Sequence, residues 1–141
     1  AAADPKTAAK MLKLDALVEA GKLDMDCLMH QFKPAVVGGF GPEREIEDLG
    51  DKDKKATITP AKAKLMVARI MIVADFCEVV PPTKGLGNQQ AKAQWTGFNN
   101  DMRAAAKGVL SAVDGKADPG AIQKAFEKLD GTCKACHNKF K

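Results

Sequence analysis

The chain has 141 residues, 28% of them charged and 45% in the apolar set, with a formal net charge of +4 at neutral pH. That length suits a single domain, residues 1–141, with one core, and the charge balance excludes a wholly disordered chain. Basic and acidic residues interleave without a basic run, which argues against a nucleic-acid partner, and no apolar run is long enough to span a bilayer.

The first residues, Ala1-Ala2-Ala3-Asp4-Pro5, read as a mature end left by cleavage at a small-residue site. That reading predicts export to the periplasm or an equivalent compartment. From about Thr7 to Phe32 an amphipathic helix is expected, because Leu14, Val18, Gly21, Met25, Leu28 and Phe32 recur at steps of four and three. Pro34 ends it. Residues 33–58 hold Gly38-Gly39, Gly41-Pro42 and Gly50, a long connection for a helical bundle. It contains either a short helical turn around Arg44–Leu49 or a surface flap.

Thr59-Pro60 is a helix start, a capping hydroxyl followed by proline in the first turn. From Leu65 to Val80 the chain is apolar nearly all round, which predicts burial on both sides and, in so small a protein, cover from another subunit. Pro81-Pro82 closes this second helix. The third, roughly Gln89 to Val113, puts Trp95, Phe98, Met102, Ala105, Val109 and Ala112 on one face and stops at Asp114-Gly115. Asp118-Pro119 opens the fourth, whose stripe is Ile122, Phe126, Leu129, Cys133, Cys136 and Phe140. Four helices with one long and two short connections predict an all-α, antiparallel four-helix bundle.

The last stripe carries the chemistry. Cys133-Lys134-Ala135-Cys136-His137 reads C-x-x-C-H. Two thiols three positions apart on a helix face the same way and suit the two vinyl groups of one haem, while the adjacent imidazole reaches the iron. A redox dithiol would need a strand before the motif. A structural zinc site would need four clustered ligands, and Cys27, Cys77 and His30 are distant in sequence. One covalent haem c per chain follows, with Cys133, Cys136 and His137 as its residues and the motif at the C-terminal end of a bundle.

The segment from Asp130 to Lys141 resembles the ending of the class II c-type cytochromes, the cytochrome c′ and cytochrome c-556 family, as do Trp95 and Phe98 in the third helix. The resemblance implies an exported monohaem protein with His137 as proximal ligand and a dimer, homo- or heterodimer, packed through the first two helices. It also matches Lys141 to the family's basic residue near the proximal imidazole, where a charge tunes ligand basicity.

In that family a first-helix leucine or phenylalanine leaves the iron five-coordinate and open to small gases, or a first-helix methionine ligates it and the protein moves electrons. This chain offers Met25-Asp26-Cys27-Leu28-Met29-His30 instead. Met25 and Met29 read as core filler, and His30 as a surface or capping residue. Cys27 reads three ways: a small buried hydrophobe, half of a Cys27–Cys77 disulfide, or a thiolate on ferric iron. The expected distal ligand is Cys27, with Cys77 in reserve, although ideal spacing sets Cys27 beside the Met25–Leu28 stripe. A two-subunit branch of the family from anammox bacteria is similar in pairing histidine with cysteine on the iron.

The expected function is a haem protein for electron transfer with a redox partner, for binding a diatomic gas such as NO or CO when reduced, or for both. The alternatives are a five-coordinate gas binder and a methionine-ligated carrier with the Cys27–Cys77 disulfide. An enzyme is not expected, because no Arg–His pair suggests peroxidase chemistry.

Overall fold

The computed structural model describes residues 24–30, 32–33, 42–80, 82 and 85–140, without the side chain of Cys27. Residues 7–23 of the first expected helix, and Lys141, lie outside the described residues. Within them are α1 (Met25–His30), α2 (Pro42–Gly50), α3 (Pro60–Val79), α4 (Gln89–Asp114) and α5 (Pro119–Phe140). No helix among these residues is long and apolar enough to cross a membrane.

Each long helix starts where its capping chemistry predicts. The Thr59 hydroxyl accepts a hydrogen bond from the Lys62 amide at 3.3 Å, Asn88 from Ala91 at 2.8 Å, and Asp118 from Ala121 at 3.1 Å. Such a cap contributes about 1 kcal/mol by satisfying an amide that the helix cannot pair. α4 ends at Gly115, whose amide donates to the Ser111 carbonyl, and α3 gives way to extended backbone at Val80, ahead of Pro81.

Three antiparallel pairings build an all-α helical bundle. α3 and α4 meet head to tail: Lys64 lies 3.4 Å from Asp114 at one end, and the Trp95 indole donates to the Cys77 carbonyl at 2.5 Å at the other. Arg103 clamps the same pair through Asp75 and Glu78, at 2.8 and 2.9 Å. α4 and α5 pair through Trp95 and Phe140, whose rings meet edge to face with centroids 5.1 Å apart. α2 lies along α5, where Gln123 donates to the Gly50 carbonyl at 2.5 Å.

The core divides along the bundle. Ile46, Leu49, Met66, Ile70, Val109, Phe126 and Leu129 fill one end. Met25, Leu28, Val73, Cys77, Trp95 and Phe140 fill the other. Met102 packs against both.

Two points that the sequence left open are decided among the described residues. The connection 33–58 holds a true helix, α2, because Ile46 and Leu49 share a face and are buried against α5. The apolar belt of α3 is buried on one side only within the chain: Leu65 and Ile72 are 52% and 55% exposed.

α2 approaches α5 at van der Waals distance. A Cβ on Gly50 would stand 3.0 Å from the Glu127 nitrogen, 3.1 Å from its Cα and 3.2 Å from the Phe126 carbonyl carbon. These are backbone atoms and cannot swing away. Gly50→Ala is therefore expected to destabilise the protein by about 1–3 kcal/mol, the cost of overpacking, although alanine is the better helix former. Gly108→Ala in α4, where a Cβ meets nothing within 4 Å, should stabilise by about 0.5–1 kcal/mol. Urea unfolding of the two variants checks the opposite signs.

Candidate functional site

Between the second core cluster and the C-terminal turns of α5 lies a cavity of ≈ 200 Å³. α5 contributes Cys133, Cys136, His137 and Phe140 to its wall, so the expected residues of the C-x-x-C-H motif converge on one space. The spacing explains this: positions 133, 136, 137 and 140 share a face of a helix with 3.6 residues per turn. The Thr132 hydroxyl donates to the Leu129 carbonyl at 2.7 Å, tying down the turn that bears Cys133.

The other walls are mainly apolar. α4 supplies Trp95, Phe98 and Met102, α3 supplies Val73 and Cys77, and α1 supplies Met25 and Met29. The Phe98 and Phe140 rings meet edge to face at 5.9 Å. Charged residues stand at the rim, where Lys33 faces Glu43 at 3.8 Å and Lys134 pairs with Asp130. Asn99 is the exception in the wall. It is 3% exposed, and its Nδ2 has no hydrogen-bond partner.

Before haem is attached, burial holds the thiols in the protonated form. Burial, and then the carboxylate of Asp130, push Cys133 up to about 11. Burial raises Cys136. Burial, and then Cys136, push Cys77 up to about 12. Among the described residues no three His, Cys, Asp or Glu side chains gather to hold a bare metal ion. What the donor set fits is a flat, largely apolar group that brings its own metal: two thiols one turn apart, one imidazole beside them, and aromatic and thioether walls.

The family model described as Cytochrome C′ matches residues 50–141. The chain belongs to the cytochrome c′ family. Members of that family carry covalently attached haem c and act in electron transfer or gas binding, and this cytochrome is a haem protein of that class. No curated protein and no solved structure matches the chain.

Cys77 is a free thiol, so the disulfide with Cys27 weighed from sequence is not formed. Its sulfur sits instead in the packed cluster with Val73, Val80 and Trp95. Cys27 lies on α1, with its side chain outside the described residues, and Lys141 lies outside them altogether. The cavity adds a residue that the sequence reading missed. Asn99 falls one turn beyond Trp95, and only the mismatch of an amide on an otherwise apolar helical face hinted at it.

Alkylation requires the thiolate. A thiol held near 12 presents on the order of a thousandfold less thiolate at pH 8 than one at the ordinary value of 9.0. Iodoacetamide should therefore label Cys77 very slowly in the native protein, and quickly in urea without any reductant, as read by peptide mass mapping. The same shift predicts that stability falls as pH rises above 9, because the unfolded chain then releases a proton that the folded thiol keeps to about pH 12.

Proposed function

We propose that this cytochrome is an exported, single-domain monohaem protein in which Cys133 and Cys136 bind the haem edge as thioethers and His137 is the proximal ligand. The observation that carries this reading is the convergence of these three side chains on one apolar cavity. Bound there, the haem supplies a one-electron couple at the iron. The protein's own residues hold the group at one edge, exclude water with Trp95, Phe98 and Phe140, and choose the sixth ligand. Lys141, one turn beyond His137, is proposed as a positive charge acting on the proximal imidazole.

The sixth ligand comes from α1. Cys27 is the proposed ligand, as a thiolate on ferric iron. Cys77, the disulfide partner weighed for Cys27, is a free thiol, which supports a use for Cys27 other than a bond to it. A specific observation favours a second reading: Met25 and Met29, one turn apart, both line the cavity, and a thioether would make the protein an electron carrier of higher potential. A thiolate favours the ferric state and lowers the potential. With a thiolate in that role, binding of NO or CO would belong to the reduced protein. The apolar outer side of α3, with Leu65 and Ile72 exposed, suits a dimer packed through α3 and the helix expected from about Thr7 to Phe32, with either a second copy or a related subunit. A redox partner protein completes the electron-transfer role.

Optical and EPR spectra of the ferric protein, then of the dithionite-reduced protein with and without CO, test the proposal. A low-spin ferric spectrum with thiolate character, lost in Cys27→Ala together with a rise in midpoint potential, is the expected result. The same spectrum unchanged in Cys27→Ala but lost in Met25→Ala or Met29→Ala establishes the methionine reading. A high-spin ferric spectrum leaves the iron five-coordinate and sinks both.

A further inference from the structure

We propose that Asn99 holds a propionate of the haem: its side-chain amide donates a hydrogen bond to a carboxylate oxygen of the prosthetic group. Asn99 is a positioning residue for the cofactor, and this role does not depend on which side chain takes the sixth position of the iron.

A buried amide N–H left without an acceptor costs about 1–3 kcal/mol, and native proteins rarely tolerate one without a compensating use. Among the described residues, Asn99 Nδ2 is the one buried side-chain nitrogen or oxygen that lacks a partner. It is not stranded in the general core. Asn99 lies in the wall of the cavity that Cys133, Cys136 and His137 share, one turn along α4 from the Trp95 ring that packs on Phe140. A residue chosen only to fill that space would be apolar, as Trp95, Phe98 and Met102 around it are.

The haem's own inventory selects the acceptor. Its four pyrrole nitrogens spend their lone pairs on the iron, and its macrocycle, methyl groups and thioether carbons accept nothing. Two carboxylates remain, and they are present in every oxidation and ligation state of the protein. A sixth ligand is not: it is a protein sulfur in one reading and absent in another. The rim gives a further reason for a neutral donor. Asp26, Glu43, Glu47 and Asp130 line the cavity against Lys33 and Lys134, and both lysines are matched to carboxylates, Glu43 and Asp130. A dianionic haem therefore enters a wall that already carries more negative than positive charge. An uncharged donor that accepts a carboxylate without bringing one of its own relieves this.

The test compares the haem-loaded protein with Asn99→Leu, which keeps the branching and removes the donor, and with Asn99→Asp, which keeps the shape and opposes the carboxylate. Resonance Raman spectra report the propionate bending vibration separately from the iron–ligand bands. The propionate band should shift in both variants while the iron–ligand bands stay in place. The midpoint potential should fall in Asn99→Leu, because a carboxylate deprived of its donor puts more negative charge near the iron and favours the ferric state. The wild-type protein supplies a readout independent of any variant's folding: in a diamagnetic ferrous form, the Asn99 side-chain amide protons should show an NOE to a propionate methylene. Absence of that NOE overturns the proposal. So does an unshifted propionate band, and so does a change confined to the iron–ligand bands, which would put the amide on the axial ligand instead.

Discussion

The seating of α5 between α4 and α2 is the constraint on which the rest of this cytochrome depends. At its C-terminal end Phe140 meets Trp95 and Phe98 edge to face, and near its start the α2 backbone approaches within contact distance of Phe126 and Glu127. With both ends held, the helix has no freedom to rotate. The face carrying Cys133, Cys136 and His137 must then look into the cavity. Edge-to-face aromatic pairs contribute about 0.5–1.5 kcal/mol beyond their buried area. Their larger effect here is angular, since they set which way the motif points.

The second consequence is electrostatic. The cavity that receives the haem is walled by aromatic rings and thioethers, and the Cys77 thiol in its wall stays protonated because burial penalises its charge. Charged residues stand at the rim, where they remain in contact with solvent and pair with one another. A low-dielectric interior strengthens every polar contact made inside it. Among the described residues, α1 brings Met25 and Met29 to the wall of that cavity, opposite the motif's helix.

Much of the fold was legible in the chain. The helix starts at Thr59 and Asp118 follow from local chemistry, because a capping side chain bonds an amide two or three residues away. The stripe from Ile122 to Phe140 was equally readable, because helical periodicity depends only on residue spacing. α2 was harder. Glycine and proline flank it, and its face of Ile46 and Leu49 is too short to stand alone, since an isolated helix of nine residues is unstable in water. It forms because α5 offers a surface, and Gly50 is the residue that lets the two backbones close.

By itself, the sequence determined the haem attachment motif, the helical faces and the punctuation between them, since each rests on interactions within a few residues. Only the tertiary structure decided that the motif faces Trp95, Phe98, Met25 and Met29 across one cavity, that Cys77 is a free buried thiol, and that Asn99 carries an unmatched donor in the wall. These depend on which residues distant in the chain come together, and packing, which acts between helices and not along them, sets that.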